Sequence, residues 1–204
     1  SNLSKSYGSL EIFTAVDLAI DKGSKVVIIG LNGAGKTTLL RMLAGIDKPD
    51  TGQIEPGHGL KIGYFAQEHE TLDVAKTVLQ NMQDAAPQLS DTDARKVLGS
   101  FLFSGDDVSK PAGVLSGGEK TRLALASLVV SSANVLLLDE PTNNLDPASR
   151  EEILRALATF TGAVVLVSHD VGAVEALNPE RVLILPDGVE DHWNQGYADL
   201  IALS

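Results

Sequence analysis

Residues 30–37 have the composition and spacing of a loop that binds phosphate. They read Gly-Leu-Asn-Gly-Ala-Gly-Lys-Thr, which matches the pattern G-x-x-x-x-G-K-[ST], and they lie between a predicted strand and a predicted helix. Glycines let backbone N–H groups surround phosphate oxygens, and the start of the helix adds partial positive charge. The pattern therefore predicts nucleotide binding, with Lys36 on the β- and γ-phosphates and the Thr37 hydroxyl on Mg²⁺.

Two adjacent carboxylates, Asp139 and Glu140, follow an apolar run at positions 135–138. Neighbouring carboxylates repel each other unless a cation compensates them, and a phosphate-bound Mg²⁺ is such a cation. We therefore expect Asp139 to hold Mg²⁺, directly or through water, and Glu140 to orient and polarise the attacking water. The alternative is a solvated strand end in front of Pro141.

Residues 115–119, Leu-Ser-Gly-Gly-Glu, open another predicted helix. The two glycines let backbone N–H groups face an anion, and Ser116 adds a hydroxyl donor. The same spacing predicts a capping box, with Ser116 as the N-cap and Glu119 at the third helical position. The spacing leaves both interpretations open, and they are compatible because a capped helix start is also an anion site.

The elements that position these motifs predict an α/β fold. Continuous apolar runs are typical of buried parallel strands, and helices between them cover both faces of a mainly parallel sheet. The predicted strands are 25–29, 134–138, 162–167 and 181–185, with a strand or hairpin at 10–20 and short strands within 54–66. The predicted helices are 37–43, 90–103, 118–130, 147–160, 171–177 and 196–203.

We expect residues 1–204 to form one domain. An α/β nucleotide-binding core would comprise 1–72 and 131–204, and residues 73–130, which contain no convincing strand, would form a helical subdomain that carries residues 115–119. Because the chain opens with Ser-Asn rather than Met, we also expect it to be excised from a longer chain.

Composition restricts the classes of function. The 204 residues are 44% hydrophobic and 21% charged and include no cysteine, which excludes a disulfide scaffold, a thiolate metal site and a cysteine nucleophile. A net charge of -11 gives no bulk attraction to nucleic acid or anionic lipid. The apolar runs are too short to span a bilayer. These features favour a cytoplasmic protein without direct membrane insertion.

The three motifs, in this order, resemble those of the ATP-binding cassette family, and the resemblance covers essentially the whole chain. It implies a P-loop NTPase core of the ABC type with a small antiparallel β part, ATP and Mg²⁺ as cofactors, and ATP hydrolysis. In that family the segment corresponding to 115–119 is the signature motif, which contacts the γ-phosphate bound by a second cassette. The resemblance thus implies that sites form only when two cassettes meet head to tail.

The resemblance also assigns roles to single residues. Tyr7 matches the aromatic residue that stacks on adenine, and Gln67 matches the glutamine that reaches Mg²⁺ and the water. Asp146 matches the D-loop aspartate, and its place before Pro147 also predicts a helix N-cap. His169 matches the switch histidine, which would bind the γ-phosphate and help hold Glu140. The implied set is catalytic Glu140, His169 and Gln67; nucleotide-binding Tyr7, Gly30, Asn32, Gly33, Ala34, Gly35, Lys36, Thr37, Thr38, Ser116, Gly117, Gly118, Glu119 and Asp146; and metal-binding Thr37, Gln67 and Asp139.

Finer details resemble the ABC-F group, soluble proteins with two cassettes in one chain that act on ribosomes. Lys36 and Gln67 are separated by a shorter stretch than is usual in transport cassettes, and Glu119 stands where transporters often have Gln. Segments 63–68, 101–105 and 139–146 are similar to that group's second cassette. The resemblance implies a second cassette as partner, in the full-length chain or as a second copy of the fragment, and a ribosome as partner of the full-length protein.

The chain departs from that group at two places, and two other functions remain open. Asn144 stands where the group usually has His, and segment 170–175 lacks the aromatic residues common there. One alternative is the nucleotide-binding subunit of a membrane transporter or drug exporter. The other is a non-enzymatic regulatory module, which would need a broken catalytic set, whereas Lys36, Glu140 and His169 are all present.

Overall fold

A computed structural model describes residues 3–7, 10–16, 20–31, 35–50, 52, 54, 59–66 and 72–203, with the backbone alone for 3–7 and 10–16. The strands in these ranges are β1 (Leu3–Tyr7), β2 (Leu10–Val16), β3 (Lys25–Ile29), β4 (Ile62–Phe65), β5 (Val135–Asp139), β6 (Ala163–Val167), β7 (Arg181–Ile184) and β8 (Val189–His192). The α-helices are α1 (Lys36–Leu43), α2 (Val78–Ala85), α3 (Asp91–Ser100), α4 (Gly117–Val130), α5 (Pro147–Thr159), α6 (Val171–Leu177) and α7 (Ala198–Leu203).

A six-stranded sheet in the order β4-β5-β6-β3-β7-β8 forms the centre of the fold. The first five strands run parallel, and β8 pairs antiparallel with β7 at one edge. Every residue of β5 and β6 is buried, as expected for strands covered on both faces by helices. The predicted α/β fold with a mainly parallel sheet is confirmed.

The two faces of the sheet pack against different helices because successive side chains of a strand point to opposite sides. On one face, Ile28 of β3 packs in a cluster with Leu39 and Leu40 of α1. On the other face, Val27 and Ile29 join a larger cluster that takes in residues of α2 to α7. The loop between β3 and α1 is therefore anchored at both ends in buried structure.

The antiparallel parts differ from the sequence prediction. Of the strand or hairpin predicted at 10–20, the structure has the strand β2, which pairs with the preceding strand β1 as a separate two-stranded sheet. The small antiparallel part is confirmed. Strand β8 was not predicted, since all four of its residues are exposed and give no apolar pattern. In the described part of 54–66, the structure has one strand, β4.

Between β4 and β5 the described chain, residues 72–134, forms helices and turns with no sheet strand. Side-chain caps start its helices: Thr77 and Ser116 form capping boxes, and the Ser90 hydroxyl accepts a hydrogen bond from the Asp93 N–H. Helix α3 ends at Ser100, earlier than predicted, because Leu102 adopts a left-handed conformation with a φ of 68°. In all of the described ranges, no helix combines the length and apolar character that a membrane span requires.

Candidate active site

Lys36, the first residue of α1, contacts the residue that directly follows β3. Gly35 caps α1 with a φ of 94°, a conformation that glycine adopts without strain. Lys36 follows, and its ammonium donates a hydrogen bond of 2.7 Å to the carbonyl oxygen of Gly30. Burial lowers the pKa of Lys36, while the charges of Glu140 and Asp139 oppose the shift. The ammonium thus lies in a partly desolvated site, where an added anion would interact with it strongly.

The next residue of α1 is joined to the end of β5. The Thr37 hydroxyl donates a 2.8 Å hydrogen bond to Asp139 Oδ2. Asp139 is buried, and this burial raises its pKa; the hydrogen bond from Thr37 lowers it, the charge of Glu140 raises it and the charge of Lys36 lowers it. The site therefore holds a carboxylate whose ionised form is short of compensating charge.

Thr37 and Asp139 fit Mg²⁺. A hydroxyl and a carboxylate are oxygen ligands of the kind that this ion takes beside substrate phosphates. A divalent cation would also compensate the buried charge of Asp139. The two side chains are already in contact across a sequence separation of 102 residues.

Glu140 and His169 form a pair at the ends of β5 and β6. Glu140 has a φ of 50°, in the left-handed region, and its N–H donates to the Val167 carbonyl oxygen at 2.8 Å. Its Oε1 lies 2.8 Å from His169 Nδ1, and its Oε2 accepts a longer, 3.4 Å hydrogen bond from the His169 N–H. Because a carboxylate only accepts, the imidazole donates through Nδ1. A strained residue at a strand end is typical of functional sites.

The start of α4 has the predicted capping box. The Ser116 hydroxyl accepts from the Glu119 N–H at 3.2 Å, and the Ser116 N–H donates to Glu119 Oε1 at 2.9 Å. A Cβ at Gly118 would overlap Asp146 Oδ1, so the absence of a side chain allows α4 and the start of α5 to approach closely. The structural interpretation of this motif is confirmed, and it leaves the anion-binding interpretation open.

Asp146 caps α5, as the Asp-Pro order predicted. Its Oδ2 accepts a hydrogen bond from the Ser149 N–H at 3.1 Å, and Pro147 is the first residue of the helix. Hydrogen bonds from Ser149 hold the pKa of Asp146 below its ordinary value. Upstream, Asn144 has a φ of 57°, which Asn tolerates better than most residues.

Sequence reasoning missed Arg122, a buried residue of α4. Its Nε donates to the Ser149 hydroxyl at 2.9 Å, its Nη1 donates to the Phe101 carbonyl oxygen at 2.8 Å, and its guanidinium lies 4.9 Å from the ring centre of Phe103. Arg122 therefore connects α4 to the start of α5. The available signal was a charged residue directly before the apolar residues at 123–126.

The predicted residues fall into two groups in space. Gly30, Lys36, Thr37, Asp139, Glu140 and His169 lie around the carboxyl ends of β3, β5 and β6, with Gly35 and the half-buried Thr38 at the start of α1. Ser116, Gly117, Gly118, Glu119 and Asp146 lie where α4 and α5 begin. Asn32, Gly33, Ala34, Gln67 and the side chain of Tyr7 lie outside the described residues.

Comparison with known proteins is consistent with this geometry. The sequence model of the ABC transporter family matches residues 13–143, and "ABC transporter F family member 5" of Arabidopsis thaliana is 39% identical over 184 residues, or 89% of this chain and 26% of that protein. "Energy-dependent translational throttle protein EttA" of Escherichia coli O6:H1 is 41% identical over 174 residues, or 83% of this chain and 31% of that protein. The chain spans 25% to 38% of the length of the curated relatives it matches.

The fold of a solved structure matches this chain over almost its full length. The dimeric, post-hydrolysis structure of the ATP-binding cassette MJ0796 bound to ADP and Pi has a TM-score of 0.77 to this chain at 26% identity, and the match covers 95% of this chain and 97% of that one. Sequence and fold thus lead to the same assignment. The chain belongs to the ABC transporter family and is one of its ATP-binding cassettes, an ATPase domain that resembles those of the ABC-F group.

Proposed function

We propose that this cassette binds ATP with Mg²⁺ around Lys36, Thr37 and Asp139 and hydrolyses it with Glu140 as the residue that polarises water. The observation that carries the proposal is the pair of contacts at the strand ends, from Thr37 to Asp139 and from Glu140 to His169. Bound Mg²⁺ would supply charge neutralisation at the β- and γ-phosphates. Gln67 belongs to the same proposed set as a ligand of the metal and the water.

The catalytic roles follow from chemistry. Lys36 exchanges its hydrogen bond to the Gly30 carbonyl oxygen for phosphate oxygens, while Glu140 accepts a hydrogen bond from the attacking water. Only 12% of the Glu140 side chain is exposed, which keeps competing solvent away from the carboxylate. His169, whose Nδ1 lies beside Glu140, would contact the γ-phosphate and help hold Glu140 in place.

The complete site requires two cassettes, in our proposal. The capped start of α4, with Ser116, Gly118 and Glu119, would present its N–H groups to the γ-phosphate of ATP held by a partner cassette, with Asp146 at the same interface. The dimeric structure of MJ0796 supports the pairing of this cassette with a second one. The α/β core at 1–72 and 131–204 and the helical subdomain at 73–130 remain our proposed division of the chain, as does stacking of adenine on Tyr7.

At the level of the whole protein, we propose a cytoplasmic, ribosome-associated translation factor with two cassettes, of which this is the second. The similarity to F family member 5 and to EttA, together with the short stretch between the phosphate loop and Gln67, supports this proposal over a transporter subunit. ATP would close the two cassettes on each other, and hydrolysis would release them.

The test uses the full-length protein with Glu140→Gln and the matching change in its other cassette. This variant should keep ATP bound, because Lys36 and Thr37 are intact, and should stay closed. It is sedimented with ribosomes and, in parallel, with purified membranes, with and without ATP and Mg²⁺. The matched control adds Lys36→Ala, which should abolish the response to ATP. Pelleting with ribosomes only in ATP supports the translation factor, whereas ATP-independent pelleting with membranes alone supports the transporter subunit.

A further inference from the structure

Three side chains from different segments meet next to His169. Asp170, the next residue, receives two hydrogen bonds from the guanidinium of Arg150 on α5, from Nε to Oδ2 at 3.1 Å and from Nη2 to Oδ1 at 2.9 Å. The hydroxyl of Thr142, which lies just after Glu140, donates to Oδ2 at 2.9 Å. We call Thr142, Arg150 and Asp170 the Asp170 clamp.

The carboxylate of Asp170 is fully engaged in this clamp. Its Oδ1 also accepts from the N–H groups of Gly172 at 2.9 Å and Ala173 at 3.4 Å, which caps α6. Burial alone would raise the pKa of Asp170, but the hydrogen bonds from Arg150 and Thr142 outweigh it and hold the pKa below the ordinary value. The backbone that follows His169 is thus held in place by an ionised side chain.

The clamp needs a residue without a side chain at position 172. A Cβ on Gly172 would overlap Arg150 Nη2 and would lie 3.2 Å from Asp170 Oδ1. Gly172 is the second residue of α6, and its lack of a side chain leaves space there for the guanidinium of Arg150.

We infer that Arg150 is a positioning residue for His169. Through Asp170, it fixes the turn between β6 and α6, so that the imidazole stays within hydrogen-bonding distance of Glu140. Arg150 and Thr142 both donate to Oδ2 of Asp170, so Arg150 also fixes this turn relative to the segment after Glu140. The clamp therefore joins both sides of the Glu140–His169 pair, and the inference rests on the proposed roles of these two residues.

The experiment measures the rate of ATP turnover and the ¹⁵N signals of the His169 imidazole in the 204-residue chain. Arg150→Met should lower kcat on the order of tenfold with little change in KM, because the ground-state contacts of the phosphates remain while the Glu140–His169 pair is misplaced. Gly172→Ala should act in the same way by displacing the guanidinium. The double variant should be no slower than Arg150→Met alone, since both changes remove the same contact. Arg150→Lys, which retains the charge with a single donor group, should recover part of kcat.

The matched control is Arg95→Met, which removes an exposed arginine paired with Asp91 on α3 and should leave kcat unchanged. Imidazole ¹⁵N spectra give a second readout, with the His169 signal identified by its loss in His169→Gln. That signal should move in Arg150→Met and Gly172→Ala but not in Arg95→Met.

An unchanged kcat and His169 signal in Arg150→Met, or effects of the two single changes that add in full, would overturn the inference. If Arg150→Met does not fold, Gly172→Ala and Arg150→Lys decide the matter with the same two readouts. Absence of turnover in the unmodified chain at all concentrations would instead count against the proposed function. The spectra still test the clamp in that case, because they need no turnover.

Discussion

Replacing Arg122 by Met should destabilise the cassette substantially. Methionine retains much of the length and apolar surface of the arginine stem but removes the guanidinium. The change leaves the Ser149 hydroxyl and the Phe101 carbonyl oxygen without their donor, and Ser149 is completely buried. It also removes the contact with the Phe103 ring.

The magnitude follows from these contacts. Each hydrogen bond from a charged donor contributes about 1.5–3 kcal/mol, and a cation–π contact contributes about 1 kcal/mol. Removing a buried charge returns part of this, because the guanidinium no longer has to be desolvated. We expect a net loss of about 3 kcal/mol in the free energy of unfolding, which corresponds to a fall in Tm of about 6–12 °C for a domain of this size.

Urea and thermal unfolding of the 204-residue chain measure this loss, with Arg95→Met as the exposed control expected to stay within about 0.5 kcal/mol. Ser149→Ala and the double variant complete a cycle that should show coupling between the two side chains of about 1 kcal/mol or more. A loss below about 1 kcal/mol in Arg122→Met would refute the reasoning. It would mean that the desolvation cost of the guanidinium cancels its hydrogen bonds.

Three further predictions concern the buried Asp139, the proposed catalytic residues Glu140 and Lys36, and Gly118 at the start of α4. Because burial raises the pKa of Asp139, the stability contributed by its protonated form is lost as pH rises through the folded-state pKa. Asp139→Asn should therefore raise the free energy of unfolding of the metal-free chain at pH 7, measured in urea. This gain should vanish in acid below the ordinary carboxyl pKa. An equal gain at both pH values would contradict a raised pKa of Asp139 in the folded chain. Glu140→Gln should keep nucleotide affinity, measured by calorimetry, and lower turnover by about 10²–10⁴-fold, whereas Lys36→Ala should weaken binding itself. Normal affinity in Lys36→Ala, or lost affinity in Glu140→Gln, would reverse these roles. Gly118→Ala should cost about 1–3 kcal/mol in thermal unfolding because its Cβ would overlap Asp146 Oδ1, and an unchanged Tm would show that the helix start can move aside.

The central sheet and its helix starts were predictable because their signals are local. The β-branched run at Lys25–Ile29 forms a strand with the predicted bounds, and Ser116 and Asp146 cap helices as predicted. In each case the determining residues lie within about four positions of one another. The exposed edge strand β8 was missed because it is specified by pairing with β7, and none of its residues is buried.

The sequence by itself indicated which residues would carry the proposed chemistry, since the predicted phosphate-binding loop, the two carboxylates at the end of β5 and the segment 115–119 are each contiguous. Only the tertiary structure decided how these side chains are held. Thr37 meets Asp139 across 102 positions, and Arg150 meets Asp170 across 20. Such contacts depend on which strand ends are neighbours and how closely two helices approach, and spacing along the chain does not encode those distances. The same packing brings Arg122 to Ser149 and leaves no room for a side chain at Gly118 or Gly172.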